Sequence, residues 1–125
     1  IGMPVKLEVY DWPTVLSKRG NDKLWNIFVT GFLITVEPSQ TLYLDSRFKW
    51  AGWYNNPKMD ALLDEMRESP NLDQAKKVFE KVQSLYWEEV PTIKFGNVHQ
   101  VFATRKNVKG AKFFCDKQFW NTSVE

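Results

Sequence analysis

Apolar and polar residues alternate along residues 5–10 (VKLEVY), which is the period of a strand with one buried face. Residues 27–30 (IFVT) form a short, mostly apolar run, as expected for a strand buried on both faces. Residues 92–95 and 98–104 also have the composition of strands. The pattern therefore predicts four strands, two towards each end of the chain.

A helix is predicted between the first two strands. Asp11 can cap this helix, Pro13 lies in its first turn, and we expect Val15 and Leu16 to face inward. The Gly-Asn-Asp sequence at residues 20–22 is typical of a turn and ends the helix.

Two longer helices are predicted in the second half of the chain. The first has Asn56 as its cap and Pro57 at its first position. The second runs from about Leu72 to Glu89 and is stopped by Pro91. Apolar residues recur at spacings of three and four in both helices, which gives each helix one apolar face. These faces comprise Met59, Leu62, Leu63 and Met66 in the first helix, and Leu72, Ala75, Val78, Phe79, Val82, Leu85 and Tyr86 in the second.

The periodicity is lost between about residues 32 and 55. Residues 38–44 predict one or two helical turns, and residues 50–56 (WAGWYNN) predict an aromatic loop. A long loop in a compact domain is more often functional than idle. Residues 108–110 predict a turn, after which the chain is extended and aromatic.

The predicted order is strand, helix, strand, loop, two helices and two strands, which is an α/β arrangement with a mixed sheet flanked by helices. The first strand has no earlier neighbour, so we expect the sheet to be incomplete. The chain starts at Ile1 without an initiator Met or a secretory leader. We therefore interpret residues 1–125 as one lobe of a longer protein.

Composition excludes several classes of partner. The chain has 17 basic and 15 acidic residues, and a net charge of +2 does not favour nucleic acid or an anionic membrane. No apolar run reaches the roughly 18 residues needed to span a membrane. Aromatic residues make up 15% of the chain, including six Trp. Most of these are expected in a core, although aromatic side chains are also favoured in ligand sites.

Candidate chemistry for an enzyme is sparse. Cys115 and His99 are the single cysteine and histidine, which argues against a thiolate or histidine metal site. A Cys115 nucleophile with His99 as base has no supporting motif. Acidic pairs such as Asp64-Glu65 lie opposite the apolar helix faces and favour a solvated surface over a glycosidase site. We therefore predict a protein that is not an enzyme and has no cofactor.

Several stretches, in order along nearly the whole chain, resemble the C-terminal region of family 5 extracellular solute-binding proteins, the dipeptide- and oligopeptide-binding components of ABC importers. They are residues 5–12 (VKLEVYDW), 28–32 (FVTGF), 54–60 (YNNPKMD), 87–93 (WEEVPTI), 106–110 (KNVKG) and 119–125 (FWNTSVE).

The resemblance implies a two-lobed fold of the periplasmic-binding-protein type (type II) that closes on its ligand. This chain is then most of the second lobe, with residues 111–125 as a tail that returns towards the first. The expected function is binding of small peptides in the cleft between the lobes and delivery to membrane permease subunits. The expected location is outside the cytoplasm, in the periplasm or, for a lipoprotein, at the outer face of the membrane.

The resemblance also implies ligand-binding residues. In the peptide binders, the bound peptide pairs like an added strand with the backbone that follows a Gly-aromatic pair. Carried over to this sequence, those positions are Gly31, Phe32 and Leu33. Many members hold the peptide's amino group with an acid four residues after that glycine. That position is Thr35 here, and the nearest acid is Glu37, so we expect Glu37 to take this role if the ligand is a free-amine peptide.

Three further residues complete the predicted site. Trp53, in the aromatic loop, is expected to cover the ligand with Phe32. Phe95 and Asn97 are placed by the family's following strand, which can line the cleft. Alternatives remain open: a binder of oligosaccharide or another small solute such as nickel or haem on the same fold, a hydrolase fragment, or a protein-interaction module. If the ligand binds in a cleft between two lobes, one lobe alone is expected to bind it poorly.

Overall fold

The computed structural model describes residues 2–32, 37–99, 101–114 and 116–125. Leu33, Thr35 and Cys115, on which predictions were made, lie outside these ranges. The described part contains three α-helices: α1 (Trp12–Arg19), α2 (Pro57–Arg67) and α3 (Leu72–Glu89). Two 3-10 turns, at Pro38–Gln40 and Ser46–Phe48, lie between α1 and α2. No helix of the described part combines the length and apolarity that a membrane span requires.

An antiparallel pair of helices, α2 and α3, forms the centre of the fold. Met59 and Leu63 of α2 are fully buried (0% exposed), and they contact Val82 and Leu85 of α3. Leu44, from the segment between the 3-10 turns, closes the same cluster. Both helices and these apolar faces were predicted from the sequence. Leu72 is the exception, since it is 68% exposed at the start of α3.

Asparagine side chains cap both central helices. Asn56 accepts a hydrogen bond from the Lys58 backbone N–H (2.9 Å), and Asn71 accepts one from the Gln74 backbone N–H (3.0 Å). Each cap satisfies an N–H that has no partner within the helix. These caps fix where α2 and α3 begin.

Helix α1 is present as predicted but contributes little to the core. Asp11 occupies the cap position without a capping side-chain hydrogen bond, and α1 buries no residue. The expectation that Leu16 faces inward is wrong, because its side chain is 39% exposed. Val15 is half-buried.

Two short antiparallel pairs lie near the C-terminus. Strand β1 (Val108–Lys109) pairs with β4 (Ser123–Val124), and β2 (Lys112–Phe114) pairs with β3 (Asp116–Gln118). The β1–β4 pair joins the two stretches, 106–110 and 119–125, that carry the terminal part of the family resemblance. Whether residues 111–125 also return towards a second lobe stays a prediction.

The four predicted strands are not strands in this structure. The described residues of 5–10, 27–30, 92–95 and 98–104 have no ladder partner. A strand is stabilised by its hydrogen-bonded neighbour and by burial of its apolar face, and here Val5, for example, is 78% exposed. The mixed α/β sheet therefore remains a prediction.

Candidate functional site

Six aromatic rings form a continuous row beside the helical core, which we call the aromatic surface. In order of contact they are Trp53, Trp25, Phe28, Trp50, Phe32 and Tyr43. Two of them, Phe32 and Trp53, are ligand-binding residues predicted from the sequence. The structure thus places both on one surface although they lie 21 positions apart in the sequence.

Neighbouring rings are close enough to stabilise one another. Trp25 stacks on Trp53 with centroids 5.7 Å apart and an interplanar angle of 17°, and its other neighbour, Phe28, lies edge-on at 4.6 Å. Trp50 lies 5.8 Å from Phe28 and 5.0 Å from Phe32. These separations are in the range at which aromatic pairs attract each other beyond simple burial.

Tyr43 connects the aromatic surface to the helical core. Its ring lies 4.7 Å from Phe32, and it also packs against the cluster that contains Leu44 and Met59. Burial raises the pKa of Tyr43 above its usual value. The position of Phe32 is therefore set by a residue that the helices hold in place.

A tight turn presents Trp53. The Trp53 backbone N–H donates to the Trp50 carbonyl at 2.8 Å, and Gly52 between them has a φ of +109°. That conformation strains any residue with a side chain, so glycine is needed at this position. Trp53 itself has a φ of +48°, in the left-handed region. The turn directs residues 50 and 53 to the same row of rings.

Arg19, the last residue of α1, joins two parts of the aromatic surface. Its guanidinium carbon lies 4.9 Å from the Trp50 ring centroid, a cation–π contact. Its backbone carbonyl accepts a hydrogen bond from the Trp25 indole N–H at 3.1 Å. Through these contacts α1 supports the surface although it buries no residue.

The rings contact one another but remain partly exposed to solvent. Phe32 is 49% exposed and Trp53 is 41% exposed, while the other four rings are half-buried. Next to Phe32, a side chain built on Gly31 would meet no described atom within 4 Å. Among the described residues other than its chain neighbours, none fills the space beside Gly31.

Glu37 lies at the start of the first 3-10 turn and caps it. Its carboxylate accepts hydrogen bonds from both the backbone N–H (3.1 Å) and the hydroxyl of Ser39. Ser39 is almost completely buried, with 1% exposed. Its carbonyl accepts a hydrogen bond from Arg67 at the end of α2 (2.7 Å). The segment that carries Glu37 is thereby attached to α2.

An ion network continues from Arg67. Arg67 donates to Asp45 (2.9 Å) and Asp64 (2.8 Å), and Arg47 bonds the same two carboxylates. Asp45 is 3% exposed. The hydrogen bonds from Arg47, and then those from Arg67, lower the pKa of Asp45 to about 2 despite its burial. The network fastens residues 39–47 to α2.

A second anchor follows the aromatic turn. The Tyr54 hydroxyl and the Asn56 side-chain amide both donate to the Glu89 carboxylate at the end of α3. Burial raises the pKa of the Tyr54 hydroxyl, and the bond to Tyr54 lowers the pKa of Glu89. Trp53 is therefore joined through its neighbour to the helical core.

The remaining predicted residues lie elsewhere or are not described. Phe95 is 82% exposed and Asn97 is exposed, and no described ring contact joins Phe95 to the aromatic surface. Leu33 falls outside the described residues. The roles of all seven predicted residues, Gly31, Phe32, Leu33, Glu37, Trp53, Phe95 and Asn97, stay predictions.

Sequence reasoning missed four members of the aromatic surface: Trp25, Phe28, Trp50 and Tyr43. A signal was present, since Trp25 and Phe28, and likewise Trp50 and Trp53, are three positions apart in segments rich in turn residues. That spacing did not reveal that the two pairs meet. Only the fold brings them together.

Two grooves lie along α2 and α3, and the larger, of about 470 Å³, is lined by Glu65, Lys77, Val78 and neighbouring side chains. The smaller, of about 300 Å³, is lined by Lys58, Leu62, Lys81 and neighbouring side chains. Among the described residues, no group of three or more His, Cys, Asp or Glu side chains could hold a metal ion. The aromatic surface and the Glu37 turn, which carry three of the predicted residues, are therefore taken as the candidate site.

The chain is similar to a protein of Sinorhizobium fredii named "Probable peptide ABC transporter periplasmic-binding protein y4tO". The two sequences are 28% identical over 105 residues, which covers 77% of this chain and 20% of the relative. The chain thus spans about a fifth of the relative's length. No family model matches the sequence, and no solved structure matches it significantly. The similarity supports a distant relationship between this chain and part of a solute-binding protein.

Proposed function

We propose that this chain forms the ligand-binding part of a solute-binding receptor of an ABC importer, of the family 5 kind, and that its ligand is a small peptide. The observation that carries the proposal is the aromatic surface, which brings together Phe32 and Trp53 and lies next to Gly31 in the chain. The similarity to a periplasmic-binding protein supports the same function.

The short chain between Phe32 and Glu37 limits how far apart these two parts of the candidate site lie. Glu37 is five positions after Phe32, so their Cα atoms are at most about 18 Å apart. An extended peptide of three to five residues spans roughly 10–18 Å. One such peptide is long enough to pair with backbone at Gly31, contact the rings and place its amino group at Glu37.

The partners and location follow from this function. A receptor of an ABC importer delivers its ligand to membrane permease subunits and works outside the cytoplasm. We propose both for the protein that contains this chain. An export signal or a lipoprotein cysteine at the start of the parent gene is the expected finding, and a parent gene without either would contradict it.

Calorimetry on the full-length protein tests the ligand. We expect free-amine peptides to bind, and Trp53→Ala to weaken binding about tenfold or more, because large aromatic side chains often carry a large share of the binding energy of a contact. Trp87→Ala is the matched control, since Trp87 is 73% exposed on α3 and touches the ring of Tyr86 instead.

The same experiment separates the alternatives. Stacked tryptophans such as Trp25 and Trp53 also suit the flat faces of sugars, so an oligosaccharide series belongs in the screen. Binding of an oligosaccharide without binding of peptides would replace the peptide proposal. Equal losses for Trp53→Ala and Trp87→Ala would show that the aromatic surface is not the site.

A further inference from the structure

The Glu37 carboxylate is held on both of its oxygens by a single buried residue. One oxygen accepts the Ser39 backbone N–H at 3.1 Å, and the other accepts the Ser39 hydroxyl. Ser39 is 1% exposed, whereas Glu37 is half-buried. A long, mobile acidic side chain is thereby kept in one orientation by a residue that is itself fixed in the core.

Ser39 is in turn fixed by α2. Arg67 donates one hydrogen bond to the Ser39 carbonyl at 2.7 Å and others to Asp45 and Asp64 at 2.9 and 2.8 Å. Arg67 belongs to the last turn of the helix that supplies Met59 and Leu63 to the core. A continuous series of contacts therefore runs from the rigid helical pair to the Glu37 carboxylate.

We propose that Ser39, supported by Arg67, is a positioning residue that orients Glu37 to receive the amino group of the peptide. This inference rests on the proposed function and adds how the site recognises a free amine. A carboxylate held in place before binding loses little further side-chain freedom when an ammonium group binds. Each oxygen of a carboxylate has a second lone pair, so both bonds to Ser39 can persist in the complex.

The test compares a free-amine peptide with its N-acetylated form on the full-length protein. Ser39→Ala removes one of the two hydrogen bonds to Glu37, and we expect it to weaken the free-amine peptide about fivefold. The N-acetylated peptide should bind as before, because it makes no ammonium contact with Glu37. A general loss of folding would weaken the binding of both peptides equally, so the comparison of the two peptides distinguishes it from a loss of amine recognition.

Two further variants complete the design. Arg67→Gln should act in the same direction as Ser39→Ala, because it frees the Ser39 carbonyl. Ser84→Ala is the matched control, since the Ser84 hydroxyl donates to the Glu80 carbonyl on the exposed face of α3. Thermal melting of each variant measures its folding.

The outcomes separate this inference from the proposed function. If Glu37→Gln abolishes the preference for a free amine while Ser39→Ala and Arg67→Gln leave it intact, Ser39 only caps a turn and the inference is wrong. If Glu37→Gln leaves the preference intact, Glu37 is not the amino-group ligand. If neither peptide binds the wild type, the proposed function itself is overturned.

Discussion

Gly110 is a residue at which the backbone leaves no space for a side chain. Its φ is +75°, and a Cβ at this position would lie 1.9 Å from the Asn121 carbonyl oxygen. We expect Gly110→Ala to lower the free energy of unfolding by about 2 kcal/mol or more, since strain and collision act together. Urea unfolding measures the loss. It should be accompanied by faster amide exchange at Glu125, whose N–H donates to the Asn107 carbonyl beside β1 and β4.

Gly20 provides the matched control for Gly110. It ends α1 with a φ of −74°, and a Cβ there would meet no described atom within 4 Å. Gly20→Ala should be neutral or slightly stabilising, by up to about 1 kcal/mol. Equal destabilisation by both substitutions would contradict the close approach of Gly110 and Asn121.

Asp45 should make stability depend on pH in the acidic range. Its pKa is lowered from 3.8 to about 2 by its bonds to Arg47 and Arg67. A carboxylate whose pKa is lower in the folded than in the unfolded state stabilises the fold at pH values above the unfolded-state pKa. This contribution is lost as the pH falls through the folded-state pKa. We expect Asp45→Asn to cost about 1–2 kcal/mol near neutral pH, after allowance for solvent screening of the two arginines.

Unfolding by urea at a series of pH values checks the Asp45 prediction. The difference in unfolding free energy between wild type and Asp45→Asn should be constant above about pH 4 and shrink towards about pH 2. A difference that stays constant through that window would show that the charge of Asp45 is not what the arginines stabilise.

At the scale of elements, the contact between α2 and α3 dominates stability. Leu63 is fully buried between the two helices. We expect Leu63→Ala to cost about 2–5 kcal/mol, because it leaves a cavity as well as losing apolar burial. Leu72→Ala removes the same groups at a position that is 68% exposed and should cost less than about 0.5 kcal/mol. Similar costs for the two would contradict this arrangement of the helices.

The same elements show which features a sequence can predict. Helix α3 was predicted from Leu72 to Glu89 and has those bounds, because its apolar period and Pro91 are local signals. The cap at Asn56 was predicted for the same reason. The 3-10 turn at Ser46–Phe48 was missed, since its position depends on Asp60 in α2, which accepts a hydrogen bond from the Ser46 backbone N–H at 2.9 Å.

The candidate site was predictable only in part. Phe32 and Trp53 were named as candidates from a resemblance and an aromatic loop, whereas Arg19 was not named. The Arg19 side chain makes a cation–π contact with Trp50, and the Arg19 carbonyl accepts a hydrogen bond from Trp25. Both contacts depend on how the fold places the end of α1 near these two residues. Glu37 was identified, whereas its attachment through Ser39 to Arg67 depends on a contact between residues 28 positions apart. Contacts of this kind have no local sequence pattern.

At the scale of the whole molecule, a buried helical pair coexists with extended apolar segments. Val5, Leu7 and Val9 are 78–83% exposed, whereas the polar residues between them interact with one another. Ile93 and Phe95 are 68% and 82% exposed. Alternating apolar residues left in solvent are what a strand shows when its sheet neighbours are not in place.

Hydrogen exchange tests this interpretation on the chain itself and on its parent protein. In residues 2–10 and 91–99 no described backbone N–H donates to another backbone group, so these amides should exchange at about the rate of an unstructured peptide in the isolated chain. Residues 57–67 and 72–89 should be protected.

If the proposed two-lobed receptor is right, neighbouring strands of the full-length protein pair with residues 5–10 and 92–95, and the amides of these residues become protected there. If both segments also exchange fast in the full-length protein, the mixed sheet predicted from the sequence does not form. The two-lobed fold would then lose its support.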